Sequence, residues 1–313
     1  MLQGKPAAAA DRGQAGPIGG TLSETCTTTC AVMSKSLSNL DFSDGLPIGV
    51  FDSGVGGLTV LRALRQRLPR ESFIYLGDTA RLPYGTKSGE SVLRYSIQAT
   101  QFLVGRGVKY LVIACNTASS VAVEELRRRF APIPVIGVIE PGAAAGCGAS
   151  RSGHIAVIAT EGTVQGGAYQ RAIARIRPDA TVITKACSLF VSLAEEGWTH
   201  GPIVEAVVRR YLDEMLRERA EIDTLLLGCT HFPVLRDALR NVVKPGVVIV
   251  DSAQTTAEAL AADLRDRSLD TNQSQARMSL LATDSPQRFA RVGSGFLGET
   301  FTPEQVELVD LAL

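Results

Sequence analysis

Two cysteines stand at equivalent points of two similar stretches. In Tyr110-Leu111-Val112-Ile113-Ala114-Cys115-Asn116-Thr117-Ala118, an apolar strand-forming run ends in a small residue, a cysteine and two hydrogen-bonding side chains. A helical pattern then follows through Glu124 and Leu126. Thr224-Leu225-Leu226-Leu227-Gly228-Cys229-Thr230-His231-Phe232 repeats that grammar 114 positions later. A polar group at the carboxyl end of a parallel strand, ahead of a helix, is how α/β proteins present chemistry. Two thiols across a small cleft suit removal of a proton from one face of a carbon and return of one to the other. One thiolate is the base, the other thiol the acid, and the roles exchange with direction. Free cysteine has a pKa near ~8.5, so modest tuning gives a mixed protonation state near neutrality. The weak acidity of such a carbon must be met by oriented donors and exclusion of water. Asn116, Thr117, Thr230, Ser53 and backbone N–H groups are the donors at hand, and Asp52 and His231 are placed to assist the thiols or to order a substrate.

Each cysteine has a plainer reading. Free cysteine is among the most buried residue types, and Cys147 and Cys187 read as core or loop fillers. Cys115 and Cys229 stop apolar runs and precede helix starts, where the helix dipole favours a thiolate. Cys229 with His231 alone would suit a thiol protease or amidase, a reading that leaves Cys115 and the repeat unexplained.

The elements that must position these groups follow in chain order. Residues 1–45 supply little to bury and read as a disordered tail; Cys26 and Cys30 lie in it without a second ligand pair for a metal. A strand at Ile48–Phe51 runs into Asp52-Ser53-Gly54-Val55-Gly56-Gly57 and a helix over 58–68. The spacing is not that of a dinucleotide fingerprint, and no Lys-Ser/Thr follows, so the turn reads as a set of N–H groups suited to a carboxylate. Asp52 alone would read as a helix cap. Phe73–Gly77 is the second strand, followed by Asp78-Thr79 and the turn Pro83-Tyr84-Gly85, with an aromatic hydroxyl at its tip. A helix over 91–105 leads to the Cys115 strand. A fourth strand over 135–139 ends at Glu140-Pro141-Gly142 and an Ala/Gly-rich stretch.

The pattern then restarts, with strands at 154–159, 181–187, 224–228 and 247–250. Strands alternating with helical connections predict parallel sheets. Two halves on one plan predict an α/β fold of two pseudo-symmetric domains, each a parallel sheet flanked by helices, with the site in the cleft between them. The expected boundaries are 46–142 for the first domain and 143–264 for the second, with 265–313 returning to complete the first.

Composition narrows the classes. The 313 residues hold 45% hydrophobic and 20% charged residues, as an ordinary globular chain does. Lys plus Arg and Asp plus Glu both total 32, with no basic run, so no nucleic-acid partner is expected. No apolar stretch approaches the roughly 18–20 residues that span a bilayer, so no membrane association is expected. Cysteines at the ends of apolar runs, and no secretory segment, point to a reducing cytoplasm. No cofactor motif stands out. A binding protein that closes two lobes on a small anion is the competing class.

Asp52-Ser53-Gly54-Val55-Gly56-Gly57, Gly77-Asp78-Thr79, Pro83-Tyr84-Gly85, Cys115-Asn116-Thr117-Ala118 and Gly228-Cys229-Thr230-His231-Phe232-Pro233, in that order between Pro47 and Leu297, closely resemble the glutamate racemase family. The resemblance implies a cofactor-independent isomerase that supplies D-glutamate for peptidoglycan, with Cys115 deprotonating D-glutamate and Cys229 deprotonating L-glutamate. It implies substrate contacts from Asp52, Ser53, Tyr84, Gly85, Asn116, Thr117, Thr230 and His231. One glutamate of Glu195-Glu196 is expected to support Cys229 and His231. The resemblance leaves a homodimer, a cell-wall-precursor activator and action on DNA gyrase open, and aspartate or hydantoin racemase is the nearest rival. The sequence departs from the family where Gly162, Gly166 and Gly167 stand in a segment that often carries serine, and where Ser188 replaces a common proline.

Overall fold

A computed structural model describes residues 45–271 and 273–311 of the chain. The expected tail, with Cys26 and Cys30, lies outside the described residues apart from Gly45.

The strands are β1 (Ile48–Asp52), β2 (Phe73–Gly77), β3 (Tyr110–Ile113), β4 (Val135–Gly137), β5 (His154–Ala159), β6 (Thr181–Ala186), β7 (Thr224–Gly228), β8 (Val248–Asp251), β9 (Met278–Ala282) and β10 (Val306–Leu308). The helices are α1 (Leu58–Arg67), α2 (Gly89–Gly105), α3 (Asn116–Arg129), α4 (Ile139–Ala149), α5 (Glu161–Gly166), α6 (Ala168–Ile176), α7 (Leu189–Glu195), α8 (Pro202–Glu218), α9 (Arg236–Val242), α10 (Ser252–Asp266) and α11 (Pro286–Leu297). The strands form two sheets, in the orders β10-β9-β2-β1-β3-β4 and β6-β5-β7-β8. All the pairings are parallel. The order β2-β1-β3-β4 recurs as β6-β5-β7-β8, so the repeat read in the sequence is a repeat of topology. Central strands β1, β3 and β7 are buried at every position, which is why they read as unbroken apolar runs rather than alternating ones. Cys115 and Cys229 follow β3 and β7, the equivalent strands of the two sheets.

Three local features add to the expectation. The Ala/Gly-rich stretch after β4 is a helix that begins at Ile139, so the fourth strand ends at Gly137 rather than at 139. Pro141 falls in the first turn of α4, where its missing N–H would have had no partner. Gly146 lets α4 lie close on the second sheet, since a Cβ there would be 2.9 Å from Leu226 Cδ1. The C-terminal segment adds β10 as well as β9 to the first sheet. The return to the first core begins ahead of residue 265. In α10, Ala253, Ala257, Leu260 and Leu264 fall on one helical face and join Leu58, Leu61 and Leu64 of α1 in the first core. Among the described residues no helix is long and apolar enough to cross a membrane.

Candidate active site

The carboxyl ends of β1, β3, β5 and β7 converge on one cavity of about 250 Å³. Ser53, Pro83, Tyr84, Gly85, Thr86, Cys115, Asn116, Thr117, Thr160, Ser188, Val191, Ser192, Cys229, Thr230 and His231 line it. Nine of the ten candidate residues are therefore wall residues of one space. Asp52 is the exception, fully buried behind the wall.

The Gly-rich turn is built differently from the expectation. Its N–H groups are not open to a ligand carboxylate, because the Asp52 side chain occupies them, with Oδ2 accepting from the Gly54 N–H at 2.9 Å. Burial pushes the Asp52 carboxyl up, against the charge of His231 and the N–H groups of Gly54, Gly57 and Ser53. Its Oδ1 has no hydrogen-bond partner among the described residues. The glycines are needed for close approach. A Cβ on Gly57 would lie 2.5 Å from Asp52 Cβ, and one on Gly56 would lie 2.4 Å from both His231 Nδ1 and Thr230 Oγ1. Thr59 Oγ1 completes this crossing between lobes by donating to the Gly56 and Thr230 carbonyls, each at 2.9 Å.

Cys115 caps α3. Its Sγ accepts from the Ala118 N–H at 3.4 Å and donates to Ser53 Oγ at 3.5 Å. Burial first, and then the Asp52 charge, push this thiol up to about 12, so it is held as the neutral acid. Cys229 has other support. A 3-10 turn over Phe232–Leu235, rather than an α-helix, follows it directly, and the α-helix starts only at Arg236. The expected helix dipole is thereby weakened, and a histidine stands in its place: His231 Nδ1 lies 3.8 Å from Cys229 Sγ, and Nε2 lies 3.1 Å from Glu195 Oε1. Burial works to lower the imidazole, but the contacts to Cys229 and Glu195 outweigh it and carry His231 up to about 10. Burial likewise works to raise Glu195, and the bonds from His231 and Arg288 hold it below its usual range. Of the two adjacent glutamates, Glu195 meets His231, and Glu196 is exposed.

The remaining wall is polar and only partly satisfied. Asn116 Oδ1 accepts from Tyr169 at 2.7 Å, which leaves the amide Nδ2 buried without a partner among the described residues. Thr117 Oγ1 sits 3.0 Å from Thr160 Oγ1 and 3.2 Å from Thr163 Oγ1, in a hydroxyl cluster that joins the lobes. The Tyr84 hydroxyl does not stand at a turn tip. It donates inward to buried Asp78, so the hydroxyl is engaged although Tyr84 lines the cavity. Asp78 also accepts from Arg81 Nε at 3.0 Å and Thr283 Oγ1 at 3.0 Å, so it anchors the Pro83-Tyr84-Gly85 loop. Cys147 and Cys187 are buried free thiols outside the cavity wall. Thr160, Ser192, Val191 and Arg288 were not singled out from the sequence. Thr160 could have been, since it follows β5 as Asp52 ends β1; Arg288, 93 positions from Glu195, carried no local signal.

A two-lobed α/β fold with one thiol from each repeat at a shared cavity is the arrangement of an α/β enzyme whose site lies between two topological repeats. The sequence matches the family profile described as Asp/Glu/Hydantoin racemase over residues 48–260, and the chain belongs to that family. It is 51% identical to the glutamate racemase of Geobacter metallireducens over 252 residues, 80% of this chain and 92% of that relative. Among solved structures it is similar to the glutamate racemase of Francisella tularensis in complex with D-glutamate (TM-score 0.79, 36% identity, 86% of this chain and 99% of that one). It is also similar to that of Escherichia coli in complex with L-glutamate and the activator UDP-MurNAc-ala (TM-score 0.67, 28% identity, 85% and 99%). Within the family the chain is an isomerase of the glutamate racemase group.

Proposed function

We propose that the chain interconverts L- and D-glutamate without a cofactor, by a two-base thiol mechanism, and thereby supplies D-glutamate for peptidoglycan in the cytoplasm. The observation that carries this is the placing of Cys115 and Cys229, ends of equivalent strands, in the wall of one small cavity.

In this reading Cys229 takes the α-proton of L-glutamate while the neutral Cys115 thiol delivers a proton to the opposite face, and the reverse holds for D-glutamate. Protonated His231 steadies the negative sulfur of Cys229 when it forms. Asn116 Nδ2, a buried donor lacking a partner, is suited to a substrate carboxylate, and Asp52, one layer behind the wall, favours the ammonium group through its charge rather than by contact. Ser53, Thr117, Thr230 and the Tyr84-Gly85 backbone complete the substrate contacts.

The test is proton NMR with L-glutamate, and separately L-aspartate, in deuterated water. It is run with and without UDP-MurNAc-ala, the activator bound to the Escherichia coli relative. Loss of the α-proton signal with gain of D-glutamate is the expected result; exchange of aspartate alone, or of neither in both conditions, overturns the reading. The Cys229–His231–Glu195 line also fits a thiol amidase, and ammonia release from glutamine would favour that instead.

A further inference from the structure

Helix α11 reaches the second-lobe side of the cavity from the first lobe, and does so twice. Its Phe289, Ala290, Val292, Phe296 and Leu297 are sunk in the first core. From that anchorage Arg288 Nη2 donates to Glu195 Oε2 at 2.7 Å. Phe296 meets the His231 ring nearly edge-on, with centroids 5.1 Å apart. Glu195 belongs to α7, whose Phe190 and Leu193 pack in the second core. The Glu195 carboxylate therefore bridges two cationic groups: Arg288 on one oxygen, His231 on the other.

We propose that Arg288 is a positioning residue for Cys229: from the first lobe it pins the Glu195 carboxylate in the orientation that holds His231 against the Cys229 sulfur. This rests on the two-thiol reading above and adds a residue to it. A carboxylate with one oxygen engaged turns about its last bond; with both engaged it presents Oε1 to His231 Nε2 in a single geometry, and the ring then presents Nδ1 to Sγ. Phe296 limits how far the ring tips. Cys115 has no such relay, since its partners are Ser53 and the Ala118 N–H. The influence of Arg288 falls on one thiol of the two.

The experiment is site-resolved alkylation of the whole purified protein by iodoacetamide, with Cys115 and Cys229 distinguished by peptide mass mapping. The variants are R288M, R288K, E195Q and E195Q/R288M. Because the Arg288 side chain is 47% exposed and solvent screens it, the expected loss in R288M is about fivefold in Cys229 alkylation rate, with Cys115 within about twofold of wild type. R288K keeps the charge and recovers most of the rate. Adding R288M to E195Q changes Cys229 by less than about twofold, because Arg288 acts through Glu195. In turnover, R288M lowers kcat with L-glutamate by a similar factor and leaves KM near wild type. A wild-type Cys229 rate in R288M, an equal slowing of both thiols, or a full further drop in the double variant overturns the proposal. A chain that never racemises yet shows the selective effect would overturn the racemase reading and keep the relay; racemisation with no selective effect would do the opposite.

Discussion

Gly56→Ala probes the closest approach of the two lobes. Gly56 is not among the glycines with positive φ, so alanine meets no backbone penalty there and the substitution reports contact alone. The added methyl would lie 2.4 Å from His231 Cε1, His231 Nδ1 and Thr230 Oγ1. Ordinary contact begins near 3.4 Å, so these groups must retreat by about 1 Å. Neither can do so freely. Thr230 is tied through its carbonyl to Thr59, and His231 is held between Glu195, Cys229 and the Phe296 ring. Overpacking of this kind costs about 1–3 kcal/mol, which moves the urea midpoint down by roughly 0.3–1 M for a chain of this size. The larger effect is on turnover. A shift of about 1 Å in a group that serves a reacting thiol costs on the order of a hundredfold in rate. The expected outcome is thus a folded protein with a modest stability loss and kcat down about a hundredfold.

The control is Gly295→Ala, in the exposed last turn of α11, where nothing lies within 4 Å of the added methyl. It should stabilise by about 0.5–1 kcal/mol through helix propensity and leave kcat at wild type. Urea titration followed by circular dichroism, with a coupled D-glutamate assay, reads both variants. A Gly56→Ala enzyme within about twofold of wild-type kcat would refute the reasoning, since it would mean that His231 can move 1 Å without consequence.

Further outcomes follow from the same geometry. Cys115→Ala and Cys229→Ala each lower racemisation by about 10²–10⁴-fold while circular dichroism and the melting profile stay near wild type, and wild-type rates in either variant would sink the two-base mechanism. Asn116→Ala removes the buried, unpartnered Nδ2 donor and, on the proposed substrate contacts, weakens glutamate binding about ten- to a hundredfold by calorimetry; unchanged affinity would remove Asn116 from those contacts. His231 is raised from 6.5 to about 10, so its contribution to stability is full below pH 6.5 and is lost as pH rises towards 10. Urea midpoints at pH 6.5 and pH 9.5 should therefore fall more steeply in wild type than in His231→Gln, and parallel profiles would contradict the assignment.

The sequence shows the two sheets because buried parallel strands leave unbroken apolar runs, and β1, β3, β5 and β7 are all of that kind. It shows nine of the cavity residues because strand ends and the turns after them are local features. What it conceals is direction and distance. That the Tyr84 hydroxyl points inward depends on Asp78, and Asp78 is held by Thr283, some 205 positions away. That Asp52 fills its own turn depends on the path of Gly54 to Gly57, and a pattern of residue types does not fix that path. The helix over Ile139–Ala149 is hidden by its one proline and three glycines, which weaken intrinsic propensity and are offset here by packing on the second sheet. Arg288 was beyond reach for a further reason: its partner lies in the other half of the repeat.

The two thiols are equivalent in topology and unequal in surroundings, and that inequality has a kinetic signature. Burial and Asp52 hold Cys115 as a thiol, while Cys229 has a protonated imidazole beside it. In the two-thiol reading a neutral Cys115 has the acid's role, which it takes with the enantiomer whose α-proton faces Cys229, and the family resemblance gives that as L-glutamate. D-Glutamate needs Cys115 as the base, the form that burial and Asp52 disfavour. A racemase cannot turn this into a preference in kcat/KM, because enantiomers have equal free energy and the two ratios must agree. The bias can appear only in kcat and KM separately, in step. With fast exchange between the two protonation states, D-glutamate should show the higher KM and, by the same factor, the higher kcat. Replacing Glu195 by glutamine loosens His231 and should shrink that factor. Equal KM values for the two enantiomers in wild type, or a higher KM for L-glutamate, would show that substrate binding rather than the resting proton sets the asymmetry.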